Sequence, residues 1–424
     1  MTLLIVVAAL LLLLFVGLPV AFALAGLGTV MLALKGLPLV MVAQNLHGAI
    51  DNFVLLSVPL FLFMSNVLLR GGVGRDLFDA VQSWVGHWPG GLGIAALLSC
   101  GIFSAISGSS VATAATVGTV AIPEMTRRGY STSFTLGLLA AGGTLGILIP
   151  PSIPLIVYGV ITEESIGKLF LAGVGPGLLL IALFSVYCVL YASFTKNHIP
   201  SEKATWRQRR DTTLRALPTG LLAFIMLGGI YSGVFTPTEA SAIGASCAIL
   251  LTAVLLRTLN WRGFMLAVRD SVATTIVLFL IVIGAKIFGK AVTLYQVPAQ
   301  VSQLVDTHVA SADLFLVIVA GILLFIGLFL ESLSMLLIMV PVLLPTVLGL
   351  GIDPIWFGIF FVILIEVALI TPPVGMNLFV IQAVARTPLG TVVKGVAPFI
   401  GLMMLSVVLV WMFPDIVLYI PFRM

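Results

Sequence analysis

Two stretches of this chain place tandem prolines inside long apolar runs. One is GTLGILIPPSIP, Gly143 to Pro154; the other is VALITPPVGMNLF, Val367 to Phe379. Proline lacks the backbone N–H and its ring clashes with the preceding turn, so neither run can continue as one helix. Pro150-Pro151 and Pro372-Pro373 stand 222 positions apart. Each run must therefore be two half-helices meeting at a break, and the second break repeats the first.

The medium makes this arrangement costly. The 424 residues are 60% hydrophobic and 8% charged, with mean hydropathy +1.24. A soluble domain carries about 25% charged residues, so the chain reads as an all-α polytopic membrane protein. In hydrocarbon, backbone polar groups must be satisfied, and irregular backbone survives only where protein buries it or a cavity wets it. Broken helices paired across inverted repeats are a signature of secondary transporters, in which freed carbonyls hold a cation and half-helix N-termini face an anion.

Several function classes are excluded. No basic stripe with interleaved aromatics points to nucleic acid. Cys100, Cys188 and Cys247 are isolated in apolar stretches, and the four histidines lack ligand spacing. GAKIFGKA, Gly284 to Ala291, has the glycine-lysine spacing of a phosphate loop but lacks the following Ser or Thr and has no strand before it. With no ATP engine, transport must run on an ion gradient. Ala21 to Ala23 mimics a signal cleavage site, yet no Lys or Arg precedes the apolar run. The N-terminal segment is expected to stay in the membrane.

Punctuation divides the chain into two halves. The first repeat is 1–195, with a helical hairpin at 91–125 and a broken helix at 131–161. The second is 217–424, with a hairpin at 313–349 and a broken helix at 355–385. Between them, 196–216 is a linker whose six basic residues face only two acidic ones (Lys196, Lys203, Arg207, Arg209, Arg210 and Arg215 against Glu202 and Asp211). The positive-inside rule makes it cytoplasmic. Pro19 pairs with Pro237, Gly101 with Gly327 and Pro123 with Pro345, at offsets of 218, 226 and 222. Five crossings per half, each hairpin re-entering on its own side, make the repeats inverted. Arg70, Arg75, Arg127, Arg128, Arg257, Arg262, Arg269, Arg386 and Lys394 then fall inside; Glu163, Glu164, Asp306 and Asp353 fall outside. Lys35 and Arg423 are exceptions, and one long kinked helix at the N-terminus would change the parity.

The first hairpin tip, SAISGSS (Ser104 to Ser110), supplies hydroxyls and a cap for the next half-helix. Ser104 and Ser107 share a helix face. Sodium, a hard cation, wants oxygens, and no other part of the chain offers a better cluster; close helix packing is the bland alternative for these small serines. Glu331 and Glu366 are carboxylates within apolar segments, hence candidate functional groups, though each could be a paired structural charge. Lys286 and Lys290 can snorkel or pair with them.

Together SAISGSSVATAATVGTVAIPEM, RRGY, GTLGILIPPSIPLIVYG and TPPVGMNLFV resemble the large membrane (DctM/SiaM-like) subunit of tripartite ATP-independent periplasmic (TRAP) transporters. The likeness covers essentially the whole chain. It implies an elevator-type fold similar to the ion transporter superfamily, not an enzyme, in the bacterial inner membrane. A scaffold stays fixed while a transport domain carrying both hairpins and both broken helices slides across the bilayer. It also implies two partners, a small four-helix membrane subunit and a soluble periplasmic binding protein that delivers an organic acid of the sialic acid or C4-dicarboxylate type. No additional helices precede Met1, so the small subunit is expected on a separate chain. Arg75 to Trp88 and Val297 to His308 become amphipathic arms. No cofactor is implied beyond coupling sodium ions.

Carried onto this sequence, one sodium site falls on Ser104 and Ser107 with backbone oxygens near Gly146, Leu148 and Pro151. The other falls near Ala368, Ile370, Thr371 and Pro373, beside Gly327 to Ser334. Here the repeat departs from itself, because Leu330 and Leu333 stand where Ser104 and Ser107 would be. Substrate is expected between the tips, near Ser109, Ser152, Ser334 and Asn377. A stand-alone sodium-coupled carboxylate carrier or exchanger of the same superfamily is the alternative. A membrane enzyme lacks any catalytic constellation here, and the paired hairpins close a channel rather than line one.

Overall fold

The computed structural model describes residues 2–195, 202–308 and 311–423, and among these every regular element is helical. In chain order the α-helices are α1 (Thr2–Phe15), α2 (Val20–Leu34), α3 (Val40–Ile50), α4 (Ser57–Arg70), α5 (Val73–Val85), α6 (Gly91–Ser107), α7 (Ser110–Arg127), α8 (Thr132–Leu148), α9 (Ile153–Thr162) and α10 (Ile166–Thr195). The second half holds α11 (Trp206–Tyr231), α12 (Pro237–Ile249), α13 (Trp261–Leu294), α14 (Val297–His308), α15 (Ala312–Gly327), α16 (Ser332–Gly349), α17 (Pro354–Leu369), α18 (Met376–Ala385), α19 (Leu389–Met412) and α20 (Asp415–Arg423). Among the described residues, eight stretches are long and apolar enough to cross a membrane.

Two helices form the middle of one body. In α8 every residue from Phe134 to Leu148 is buried, and in α17 every residue from Ile355 to Leu369. Apart from Glu366 in α17 both are largely apolar on every face, the pattern of a helix enclosed by others. The hairpin α6–α7 packs on α8, and α15–α16 packs on α17. The halves also cross over: α18 lies on α7 and α8, and α16 lies on α9. Glycines bring α8 and α19 together, since a methyl added to Gly137 would sit 2.0 Å from the Gly395 carbonyl oxygen. Small residues allow that approach where lipid gives no hydrophobic drive to associate.

A second body contains α2, α4, α12 and α13, with α2 against α13 and α4 against both α12 and α13. At the α2–α13 crossing, a methyl on Gly28 would sit 2.8 Å from the Phe288 nitrogen and one on Gly284 2.5 Å from the Ala21 carbonyl oxygen.

The basic segment is not an open linker. Lys196 and the rest of 196–201 lie outside the described residues, as does the Asp306 side chain. From Trp206 the chain is helical, and Arg207, Arg209, Arg210 and Arg215 ride on α11. A capping box starts this helix, with Thr205 and Gln208 each bonding the other's backbone N–H. Its first turns clamp α5. Arg209 Nε donates to the Ser83 carbonyl (3.2 Å), Trp84 Nε1 donates to Thr213 Oγ1 (3.1 Å), and the Arg209 guanidinium lies over the Trp84 ring.

Candidate functional site

At the first break, Pro150 and Pro151 offer no N–H, so the carbonyls of Gly146 and Ile147 lose their intrahelical donors. The Ile149 N–H still closes the last turn of α8 onto Leu145 (2.9 Å), and Ser152 Oγ accepts from the Leu155 N–H (3.3 Å) to start α9. The tip of the first hairpin seats directly on this break. Gly108 turns the chain at φ +61°, a left-handed conformation that favours glycine. A methyl there would meet the Pro151 carbonyl oxygen at 2.6 Å, and one on Gly146 would meet the Ser109 carbonyl oxygen at 2.6 Å.

Hydroxyls gather at the same place. Thr113 Oγ1 lies 2.9 Å from Ser107 Oγ and 3.5 Å from Ser104 Oγ, and Ser107 Oγ lies 3.4 Å from the Ser109 carbonyl oxygen. Ser104, Ser107 and Thr113 are all fully buried. The result is a dry cluster of neutral oxygens, with none of the three hydroxyls bonded to a charged side chain among the described residues. Thr113 was not singled out from sequence. It is six residues past Ser107, and the turn at the tip, not helical spacing, brings it back. Leu148 is placed differently from its neighbours, its carbonyl oxygen abutting Gly173 of α10.

The second break has another character. Pro372 and Pro373 free the Ala368 and Leu369 carbonyls from helical donors. The Thr371 N–H reaches back to Ala368 (3.1 Å), and Thr371 Oγ1 donates to Val367 (2.6 Å). Gly327, ending α15, packs against Ala368. Ile370 is buried but Pro373 is exposed, whereas its counterpart Pro151 is buried. With Leu330 and Leu333 in place of serines, Thr371 supplies the side-chain hydroxyl at this break. Glu331 caps α16 at the Leu333 N–H (3.2 Å).

Both hairpin tips open onto one chamber of about 330 Å³, within the range of small-molecule sites. Its wall includes Ser109 and Ser110 from the first tip, Glu331 and Ser332 from the second, and Ser65 and Asn66 of α4. Four helices begin at this wall: α7 at Ser110, α9 at Ile153, α16 at Ser332 and α18 at Met376. Their first-turn N–H groups lack intrahelical partners and carry the positive end of the helix dipole. Ser65 is buried, and its hydroxyl has no partner among the described residues. Asn66 is braced by Ser271 (2.9 Å). Sequence reading passed over Ser65 and Asn66, although a polar pair inside FLFMSNVLL was the available signal.

Of the four residues expected at substrate, Ser109 lies on the wall; Ser152, Ser334 and Asn377 do not. Ser152 is a helix cap, and Ser334 is buried next to the Glu331 cap of α16. Asn377 sits behind the wall, where its Nδ2 donates to Ser110 Oγ and to the Ala140 carbonyl (3.1 Å). It positions a wall residue instead of lining the chamber. Glu366 lies away from the chamber, fully buried, with neither oxygen hydrogen-bonded among the described residues.

These features can be set beside known proteins. Residues 7–416 match the family model of the tripartite ATP-independent periplasmic transporter, DctM component. The chain belongs to this family of TRAP transporter large permeases. It is 40% identical to the C4-dicarboxylate TRAP transporter large permease DctM of Pseudomonas aeruginosa, over 89% of this chain and 88% of that one. It is 36% identical to the sialic acid TRAP transporter large permease SiaM of Vibrio cholerae, over 96% of each. The permease is thus an integral membrane component of a transporter, and its relatives are permeases, not enzymes. The crystal structure of the Alcanivorax borkumensis YdaH transporter superposes with a TM-score of 0.68 at 16% identity, covering 97% of this chain and 99% of that one. At that identity the likeness concerns the fold alone.

Proposed function

We propose that the permease imports an organic acid, a C4-dicarboxylate or a sialic acid, by sodium-coupled elevator movement in the bacterial inner membrane. It works with a small four-helix membrane subunit and a periplasmic binding protein that delivers the acid. The observation that carries this reading is the convergence of four helix N-termini on one chamber between two hairpin tips. Such termini offer first-turn N–H groups and positive partial charge to an anion without burying a cation, with one N–H each of α7, α9 and α16 capped by Ser109, Ser152 and the Glu331 carboxylate. Relatives of similar identity are named for several different substrates, so the chain's likeness does not choose between the two acid classes.

Sodium fits the oxygen cluster beside the chamber. Ser104, Ser107 and Thr113 hydroxyls with the Gly146 and Pro151 carbonyls give neutral, hard ligands, the chemistry a monovalent alkali ion needs. The second break supplies Ala368, Ile370, Thr371 and Pro373 for a second ion. Because tip and break meet through Gly108 and Gly146, an ion that ties them together also shapes the chamber wall at Ser109. That linkage is the coupling: sodium stabilises the arrangement that presents the α7 and α9 N-termini to substrate. The repeats are read as inverted, with α6 to α9 and α15 to α18 as the moving body and α2, α4, α12 and α13 as scaffold.

The test is uptake of labelled succinate or N-acetylneuraminate into proteoliposomes holding the permease and its small subunit. Binding protein and an inward sodium gradient are each supplied or withheld. Uptake that requires both is the expected result. Uptake with sodium alone makes the chain a stand-alone carrier, and uptake indifferent to sodium removes the coupling assignment.

A further inference from the structure

A second cavity lies apart from the chamber. It measures about 550 Å³ and is walled by Lys286, Lys290 and Thr293 of α13, Asn45 of α3, and Glu163 at the end of α9. Lys286 and Lys290 are one helical turn apart on the same face. Both are exposed, and neither has an ion-pair partner among the described residues. A lysine within a membrane helix costs several kcal/mol unless it meets water or an anion. Two of them facing one cavity, against a single carboxylate on its wall, leave that cavity net positive.

The cavity is joined to the chamber by one continuous stripe of α13. Thr274 and Leu278 line the chamber, Leu278 and Val282 line a neck, and Val282, Lys286 and Lys290 line the lysine cavity. Successive members are four residues apart, so they form one row along the helix. Lys286 is about 12 Å along the axis from Leu278 at 1.5 Å per residue. The facing wall is also a row: Leu333 borders chamber and neck, Leu337 borders neck and lysine cavity, and Pro341 borders the latter. The neck itself, lined by Leu278, Phe279, Val282, Val157, Leu333 and Leu337, holds only about 10 Å³, at the limit for one water. In this conformation it separates the two spaces with apolar side chains. Glu163 falls on the outer side by the charge distribution, and so does this cavity.

We propose that Lys286 and Lys290 form an outer capture site that holds a carboxylate of the incoming acid before it reaches the chamber. The proposal rests on the organic-acid reading above. The wall facing the lysines belongs to the moving body, so outward sliding brings the hairpin tips toward the lysines along the α13 row. The acid then passes from scaffold lysines to helix N-termini without crossing the apolar neck. The lysines stay behind when the moving body returns, which favours release of the anion from the scaffold and its retention by the chamber.

The experiment uses the complete complex with Thr293→Cys in a Cys247→Ala background; Cys100 and Cys188 are fully buried. Modification rates of the introduced thiol are compared for anionic and cationic thiosulfonate reagents of similar size. The expected result is preference for the anionic reagent, reduced about tenfold or more at low salt by Lys286→Gln with Lys290→Gln and retained with Lys→Arg at both. Succinate should slow the modification in phosphatidylcholine vesicles, and the Gln pair should raise KM for uptake about tenfold with Vmax within about twofold. Absence of anionic preference in the wild-type complex overturns the capture site whatever the folding of the Gln pair, and a wild-type preference that the folded Gln pair leaves unchanged overturns it too. Protection only on adding phosphatidylglycerol assigns the cavity to a lipid headgroup and overturns the substrate role. Lysine-dependent selectivity in a complex that takes up neither succinate nor N-acetylneuraminate supports the anion site and overturns the organic-acid reading alone.

Discussion

Gly146 of α8 and Ser109 of the first hairpin tip touch so closely that a methyl on Gly146 would lie 2.6 Å from the Ser109 carbonyl oxygen. One residue therefore ties the helix break to both the oxygen cluster and the chamber wall. Gly146→Ala must push the tip away by several tenths of an ångström. The expected outcome is sodium-dependent uptake whose half-saturating sodium concentration rises by about tenfold, roughly 1.4 kcal/mol of lost binding. Sodium titration of uptake checks it, with expression and monodispersity matched to wild type. Unchanged sodium affinity would separate this contact from ion binding.

Thr113 gives a sharper test, because its hydroxyl bridges Ser104 and Ser107. Thr113→Val keeps the shape and removes the oxygen; Thr113→Ser keeps the oxygen. Val is expected to weaken sodium dependence as much as Ser107→Ala does, and Ser to preserve it. If Val and Ser behave alike, the hydroxyl is a packing feature.

How legible these groups were depends on how local their causes are. Proline acts on its own backbone and the turn before it, so both breaks could be located from four residues. The caps at Ser109 and Ser152 follow from the same kind of local rule. Thr113 and Ser65 join the site through a turn and through the packing of α4, which no spacing rule specifies. Asn377 is instructive, since a lone amide in an apolar half-helix was readable as important but not as supporting. The repeat likewise predicted equivalent breaks, yet Pro151 is buried and Pro373 exposed, and the serines of one hairpin tip are leucines in the other.

Asn377 is predicted to act through stability and position. Asn377→Ala leaves the Ala140 carbonyl and Ser110 hydroxyl without this donor, at about 1–3 kcal/mol. A lower melting temperature in detergent is expected with or without substrate. Asn377→Asp, which cannot donate from an ionised carboxyl, should resemble Ala. A loss confined to substrate affinity at unchanged melting temperature would return Asn377 to the binding wall.

Glu366 presents an opposite case. A charged carboxylate that is fully buried with no partner costs several kcal/mol, and Gln keeps its shape without the charge. Glu366→Gln is expected to raise the melting temperature and leave uptake within about twofold. A drop in melting temperature or loss of sodium dependence would mean that an ion or water is bound at this carboxylate.

The movement itself can be trapped with cysteine pairs along the two facing rows. Leu278 and Leu333 share the neck in this conformation, so Leu278→Cys with Leu333→Cys should cross-link readily and stop transport until reduced. Lys286 is about 12 Å further along α13, so Lys286→Cys with Leu333→Cys should cross-link only after the moving body slides outward. Sodium and substrate-loaded binding protein are expected to shift yield from the first pair to the second. A hinge or local gate would open the neck without that displacement, and the second pair would then never form. Quantifying both cross-links in the same membranes therefore decides between sliding and gating, independently of which acid is carried.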